Sequence, residues 1–154
     1  MTRYAQGTSV SIEKSRAEIE AILKRYGASH FGYMSNPGKA TIAFRVKDRN
    51  IRFDLPFPDR KDFAMPPKNY RLRTPQQIDE FHEQACKERW RALVLCIKAK
   101  LEAVASAIET FEEAFLAHIV LPDGDTVYEK TQANIALAYK GSNVPMLPAP
   151  GRLS

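Results

Sequence analysis

ATIAFRVKDRNIRFDLPFP, residues 40–58, alternates strictly between apolar and polar positions. Ile42, Phe44 and Val46 interleave with Ala43, Arg45 and Lys47, and Ile51, Phe53, Leu55 and Phe57 interleave with Arg52 and Asp54. A period of two with β-branched and aromatic residues predicts two strands, one face apolar and the other basic. The joining residues allow two registers. With Asp48-Arg49 as the loop, Arg45 faces Arg52, and like charges repel. With Arg49-Asn50 as the loop, Arg45 faces Asp54, Val46 faces Phe53 and Phe44 faces Leu55. Charge favours the second. Neither loop carries the glycine a tight hairpin prefers.

Upstream, ASHFGYMS (28–35) precedes the turn signal Asn36-Pro37-Gly38 and reads as a third strand. Before it, Ile19, Ile22, Leu23 and Tyr26 fall on one helical face that Gly27 stops. Either Ser15 with Glu18 or the earlier Ser11 starts this helix. Downstream, residues 56–75 are proline-rich and aperiodic. Thr74, Pro75 and Gln77 then form a helix start with a capping box.

No glycine or proline occurs from Gln76 to Leu121. Ile78, Phe81, Ala85, Ala92, Leu93, Ile97, Leu101, Val104 and Ile108 trace a helical stripe, predicting a helix of about 50 Å if continuous to Ala107. Thr110 with Glu113 starts another helix, FEEAFLAHIV. After the Asp123-Gly124 turn, Thr126 or Thr131 starts a last one, ended by Gly141. The expected architecture is α+β, a three-stranded antiparallel meander packed against helices, in the order α-β-β-β-α(long)-α-α. Residues 11–141 form the single domain, between a loose lead-in (1–10) and a proline-rich tail (142–154).

The 154-residue chain suits one domain with a real core. Its longest apolar run, ALVLCI (92–97), is far too short to span a membrane. The N-terminus has no apolar signal core, which points to a cytosolic setting. Cys86 and Cys96, ten apart on one helix, are separated by about 15 Å of rise and cannot pair. They read as core thiols.

The net charge is +5, unevenly spread: residues 1–73 hold 15 Lys/Arg against 7 Asp/Glu, and the remainder 8 against 11. A polyanion would therefore meet the first half. Arg45, Lys47, Arg49 and Arg52 lie on the polar face or tip of the ribbon. Arg60, Lys61, Lys68, Arg71 and Arg73 lie on the loop beyond it, with Phe63 and Tyr70 interleaved. These cations are the candidate phosphate ligands, and Tyr70 a candidate stacking residue. The competing reading is a solvated edge loaded with cations against aggregation.

Catalytic signals are sparse. Asp59-Arg60-Lys61, with Asp48 or Asp54, echoes part of a metal-dependent nuclease site. His82 and Cys86 share a helix face, and His118 precedes Asp123 and Asp125. The bland readings are a histidine packed beside a core thiol, and turn chemistry. No glycine-rich phosphate loop, nucleophile elbow or cysteine cluster occurs. No catalytic residue, metal or cofactor is expected. Trp90, between Arg89 and Arg91, is either a core ring or the anchor of a protein interface.

The order α-β-β-β-α is similar to that of the double-stranded-RNA-binding domain, whose last helix opens with a basic cluster. Here TPQQIDEFHEQACKERW opens acidic. A strand-annealing protein, with its basic hairpin beside a long helix, resembles the chain equally. ERWRALVLCIKAKLEAVASAIETFEEAFLAHIVLPDGDTVYE, SIEKSRAEIEAILKRYGA and FDLPFPDRKDF resemble a group of small hypothetical proteins of tailed bacteriophages and prophages. That resemblance implies a phage-encoded accessory role in the bacterial cytoplasm and transfers no site residue. The expected function is nucleic-acid binding, DNA above RNA, with low sequence specificity. The rival is a phage protein that binds a host protein through the long helix and Trp90, and a homo-oligomer is compatible with either.

Overall fold

A computed structural model describes residues 3–68, 71–141 and 143–149. Helix α1 (Ile12–Arg25) leads into strands β1 (Ala28–Asn36), β2 (Lys39–Val46) and β3 (Arg49–Pro56). The long α2 (Pro75–Ala105), short α3 (Phe111–Phe115) and α4 (Val127–Tyr139) follow. The strands form one antiparallel sheet with β2 in the centre. The expected α+β order is the observed one.

The register differs from both expectations. The hairpin turns at Lys47-Asp48, with Val46 opposite Arg49, Arg45 opposite Asn50, Phe44 opposite Ile51 and Ile42 opposite Phe53. All three registers keep the apolar rows on one face, because a shift by an even number preserves parity. Alternation therefore cannot choose among them. The two-residue turn makes Lys47 adopt a left-handed φ of 54°. Asp54 consequently lies away from Arg45. It accepts a hydrogen bond from Thr41 Oγ1 (2.7 Å) and pairs with Lys39 at 3.7 Å.

Ala40, Ile42, Phe44 and Val46 of β2 and Ile51, Phe53 and Leu55 of β3 are buried on one sheet face. They pack with Ile19 and Leu23 of α1 and with Trp90, Leu93, Val94, Ile97 and Leu101 of α2. Phe44 lies between Phe31 and Phe53, with ring centroids 6.3 and 6.4 Å away.

Helix α2 is one continuous rod of 31 residues, about 46 Å long. Its start is the predicted box: Gln77 N–H donates to Thr74 Oγ1 (3.3 Å), and Thr74 N–H to Gln77 Oε1 (3.0 Å). The buried stripe is Cys86, Trp90, Leu93, Val94, Ile97 and Leu101. Phe81, expected on that stripe, is exposed because the sheet and α1 cover only the middle and end of the rod, and Ile108, expected there too, is exposed past the end of α2. Cys86 is buried as expected, and desolvation raises its pKa, which keeps it a thiol. Cys96 is exposed, correcting its reading as a core thiol.

Ser11, not Ser15, caps α1, accepting from Lys14 N–H at 3.2 Å. Ser15 sits inside the helix, fully buried, its Oγ without a partner among the described residues. The lead-in expected to be loose lies along α2. Gly7 N–H donates to Glu88 (2.9 Å), Gln84 Nε2 donates to the Thr8 carbonyl (2.9 Å), and Ala5 is buried. The helix expected over 111–120 ends early, passing through a 3-10 turn at Leu116–His118. Ile119 then bridges Ile51, and Val120 N–H donates to the Asn50 carbonyl, extending the sheet beyond β3. Thr126 caps α4. Among the described residues, no helix is long and apolar enough to cross a membrane.

Glu18 ties α1 to α2 through Lys98 and Arg91. The Lys98 hydrogen bond is the main cause holding its carboxyl below the usual range, with Arg91 adding to it against desolvation. A carboxyl depressed on folding stabilises above its unfolded pKa and loses that effect as pH falls through the folded value. Glu18→Gln is expected to cost about 1 kcal/mol at pH 7, given its partial exposure. Melting curves at pH 7 and pH 3 check this: the gap between wild type and variant should close in acid. A gap that persists undiminished sinks the assignment.

Candidate nucleic-acid interface

Among the described residues, no helix is laid across the second sheet face. β1 presents His30, Gly32 and Met34 there, β2 presents Thr41, Ala43 and Arg45, and β3 presents Arg52 and Asp54, by the observed pairing. Arg45 lies between His30 and Asn50 on the neighbouring strands and is exposed. Among the described residues it has no carboxylate within ion-pair distance, and neither does exposed Lys47 at the hairpin tip.

Several other predicted phosphate ligands serve the fold. Arg49 pairs with Asp48 and Glu112, both at 2.8 Å, fastening the hairpin to the start of α3. Arg52 donates to the Gly124 carbonyl and to Glu129, each at 2.8 Å, holding the Asp123-Gly124 turn and the first turn of α4 against β3. Arg60 pairs with Asp79 of α2. Arg73 stacks on Phe81, 3.7 Å from the ring centroid, and donates to the Phe63 carbonyl at 3.0 Å, closing the proline-rich loop on itself. Lys61, Lys68 and Arg71 are exposed on that loop. Tyr70 lies outside the described residues. The loop leaves β3 at the end opposite the hairpin tip, about 25 Å away along an eight-residue strand. The basic surface is therefore two clusters, with Arg45 and Lys47 at one end and the loop cations at the other.

The nuclease echo has a simpler account. Asp59 caps a 3-10 turn over Arg60–Phe63, accepting from Lys61 N–H at 3.0 Å, while Asp62 accepts from Asp59 N–H at 3.2 Å. Among the described residues no cluster of three His, Cys, Asp or Glu side chains is placed to hold a metal ion. His82 Nε2 lies 3.1 Å from the Pro58 carbonyl, and its ring stands 3.9 Å from Cys86 Sγ. His118 stacks on Phe53 at 3.9 Å, and burial lowers its pKa, so it is neutral at pH 7. Asp123 and Asp125 both take Lys130. Exposed His30 accepts from or donates to Ser29 Oγ at 2.7 Å.

Trp90 is only 4% exposed and belongs to the core. Arg91 is held by Glu18, and Arg89 is exposed. The three do not form a surface patch around the indole.

One feature was not legible in the sequence. Beside Lys47 a cleft of about 470 Å³ opens between the hairpin tip and the ends of α1, α2 and α3. Tyr26, Val46, Val104 and Phe111 contribute its apolar walls, with Arg49 and Glu112 at its polar side. Tyr26 belongs by spacing to the apolar face of α1, yet it is the last capping position there and 42% exposed. Nothing local tells that it lines one cleft with Phe111. No family model, curated protein or solved structure matches the chain.

Proposed function

We propose that the protein binds nucleic acid, DNA in preference to RNA, without strong sequence preference and without catalysis. Its setting would be that of a phage-encoded accessory factor in DNA replication, recombination or protection, on the resemblance of its segments. The observation that carries the reading is the pair Arg45 and Lys47. They are exposed on and beside the uncovered sheet face, with no carboxylate partner among the described residues, whereas Arg49 and Arg52 are consumed by the fold. Phosphates recruit unpaired cations first, because a cation already paired must surrender its carboxylate. Lys61, Lys68 and Arg71 offer a second binding region.

The test is binding to single- and double-stranded DNA and RNA across salt, for wild type and an Arg45→Ala/Lys47→Gly double variant. The log–log slope on duplex DNA should shrink by about 0.9 for each phosphate that the variant no longer neutralises. Lys47→Gly also relieves a left-handed backbone that costs a non-glycine residue about 1–2 kcal/mol. The double variant is therefore expected to melt no lower than wild type, which separates weakened binding from impaired folding. Arg52→Ala should do the reverse, lowering the melting temperature with the slope unchanged. Absence of binding at low salt sinks the proposal.

A protein partner is the second reading. The observation favouring it is the end of α4, where Ile135, Leu137 and Tyr139 are all exposed, rather than the buried Trp90. Association through such a surface would vary little with salt, which distinguishes the two.

A further inference from the structure

We infer that the cleft at the hairpin tip receives one unpaired nucleobase, so that the protein holds single strands in preference to duplexes. This deepens the nucleic-acid reading above and rests on it.

The cleft volume, about 470 Å³, lies in the range of sites that enclose small organic ligands. Its walls combine two aromatic rings, Tyr26 and Phe111, with the aliphatic Val46 and Val104. A flat π-system stacks on such rings whatever its hydrogen-bonding edge, which suits binding with little sequence preference. Two cations and two carboxylates line the cleft: Arg49 takes both Asp48 and Glu112, which leaves Lys47 as the cation there with no carboxylate partner among the described residues, placed to meet a phosphate. A base inside the cleft would put its phosphate at Lys47. Arg45 lies within about 7 Å along the backbone but on the other face of the sheet, so it serves a phosphate only of a strand that passes round the hairpin tip.

The backbone around Tyr26 is fixed. Its N–H donates to the Leu23 carbonyl and the Gly27 N–H to the Lys24 carbonyl, and Gly27, at φ 87°, turns the chain away immediately afterwards. A paired base cannot enter without leaving its stack, which costs a few kcal/mol. A single strand has no such cost to meet, and this produces the preference.

The experiment measures fluorescence anisotropy of a short oligo-dT, and of its duplex with oligo-dA, on wild type, Tyr26→Ala and Tyr26→Phe. Wild type should prefer the single strand at least tenfold. Tyr26→Ala should weaken single-strand binding about tenfold while leaving duplex binding unchanged. Tyr26→Phe keeps the ring and should keep the preference. Photo-cross-linking with an iodouracil-substituted strand should map to Tyr26 or Phe111. Equal binding of both forms by wild type, or wild-type affinity in Tyr26→Ala, overturns the inference and leaves general phosphate binding standing. Binding to neither form at low salt overturns both.

Discussion

Phe115→Ala is expected to lower stability by about 3–5 kcal/mol. Phe115 is fully buried and belongs to a helix of only five residues. So short a helix contributes little stability of its own, since nucleation costs more than a few hydrogen bonds return. Its ring stands edge-on to Phe44 and Phe53, each 6.2 Å away, and stacks on Phe111 at 4.6 Å. Phe115 therefore plugs the sheet face where α2 diverges, and alanine leaves a cavity lined by three rings. The melting temperature should fall by roughly 6–20 °C, at 2–4 °C per kcal/mol for a chain of this size. The Ile119–Val120 extension of β3 depends on the same anchor. Hydrogen exchange at Val120 N–H, bonded to the Asn50 carbonyl at 2.8 Å, should accelerate in the variant. A loss under 1 kcal/mol would show that α3 is held chiefly by Arg49 and Glu112.

Trp90→Ala is expected to destabilise by a similar amount, about 3–5 kcal/mol, and to act on stability rather than on recognition of any partner. The indole is 4% exposed and joins α1, α2 and the sheet. Arg16 lies over it at 5.9 Å and over Tyr33 at 4.4 Å, so the guanidinium roofs the ring instead of leaving it open to a docking surface. Beside it runs a cleft of about 180 Å³ lined by Ile12, Tyr33, Phe57 and Cys86. Truncation would merge the vacated volume with that cleft, and neighbouring side chains cannot collapse across both. Trp90→Phe should recover more than half of the loss. Since Trp90 is the sole tryptophan, its own fluorescence reports the wild-type transition, and circular dichroism serves for the variants. A variant that keeps wild-type stability but loses a protein partner would restore Trp90 as an interface anchor.

Two helix starts were legible because caps are local. Thr74 with Gln77 and Thr110 with Glu113 each satisfy their own N-terminal N–H groups within three residues. Thr126, which takes a box with Glu129, could not be told from Thr131 by sequence. The strands were legible because alternation maps directly onto the two faces of a sheet. Phe81 misled, because its helical spacing is that of a core residue while its position lies beyond the sheet, where Arg73 covers it. FEEAFLAHIV was over-extended because Ile119 and Val120 gain more from the unpaired edge of β3 than from another helical turn.

By itself, then, the sequence determined the order of elements, the apolar face of the hairpin and the basic bias of the first half. Those properties follow from residue type and spacing within a few positions. Only the tertiary structure decided the register and which cations remain for a ligand. Registers differing by two residues bury the same rows, so the choice falls to the turn and to interactions outside the hairpin. The carboxylates that claim Arg49 and Arg52 come from 63 and 77 residues away, a distance at which sequence pattern carries no pairing information. What those long-range pairs leave over, Arg45 on the open face and Lys47 beside an aromatic cleft, is the surface on which the proposed function rests.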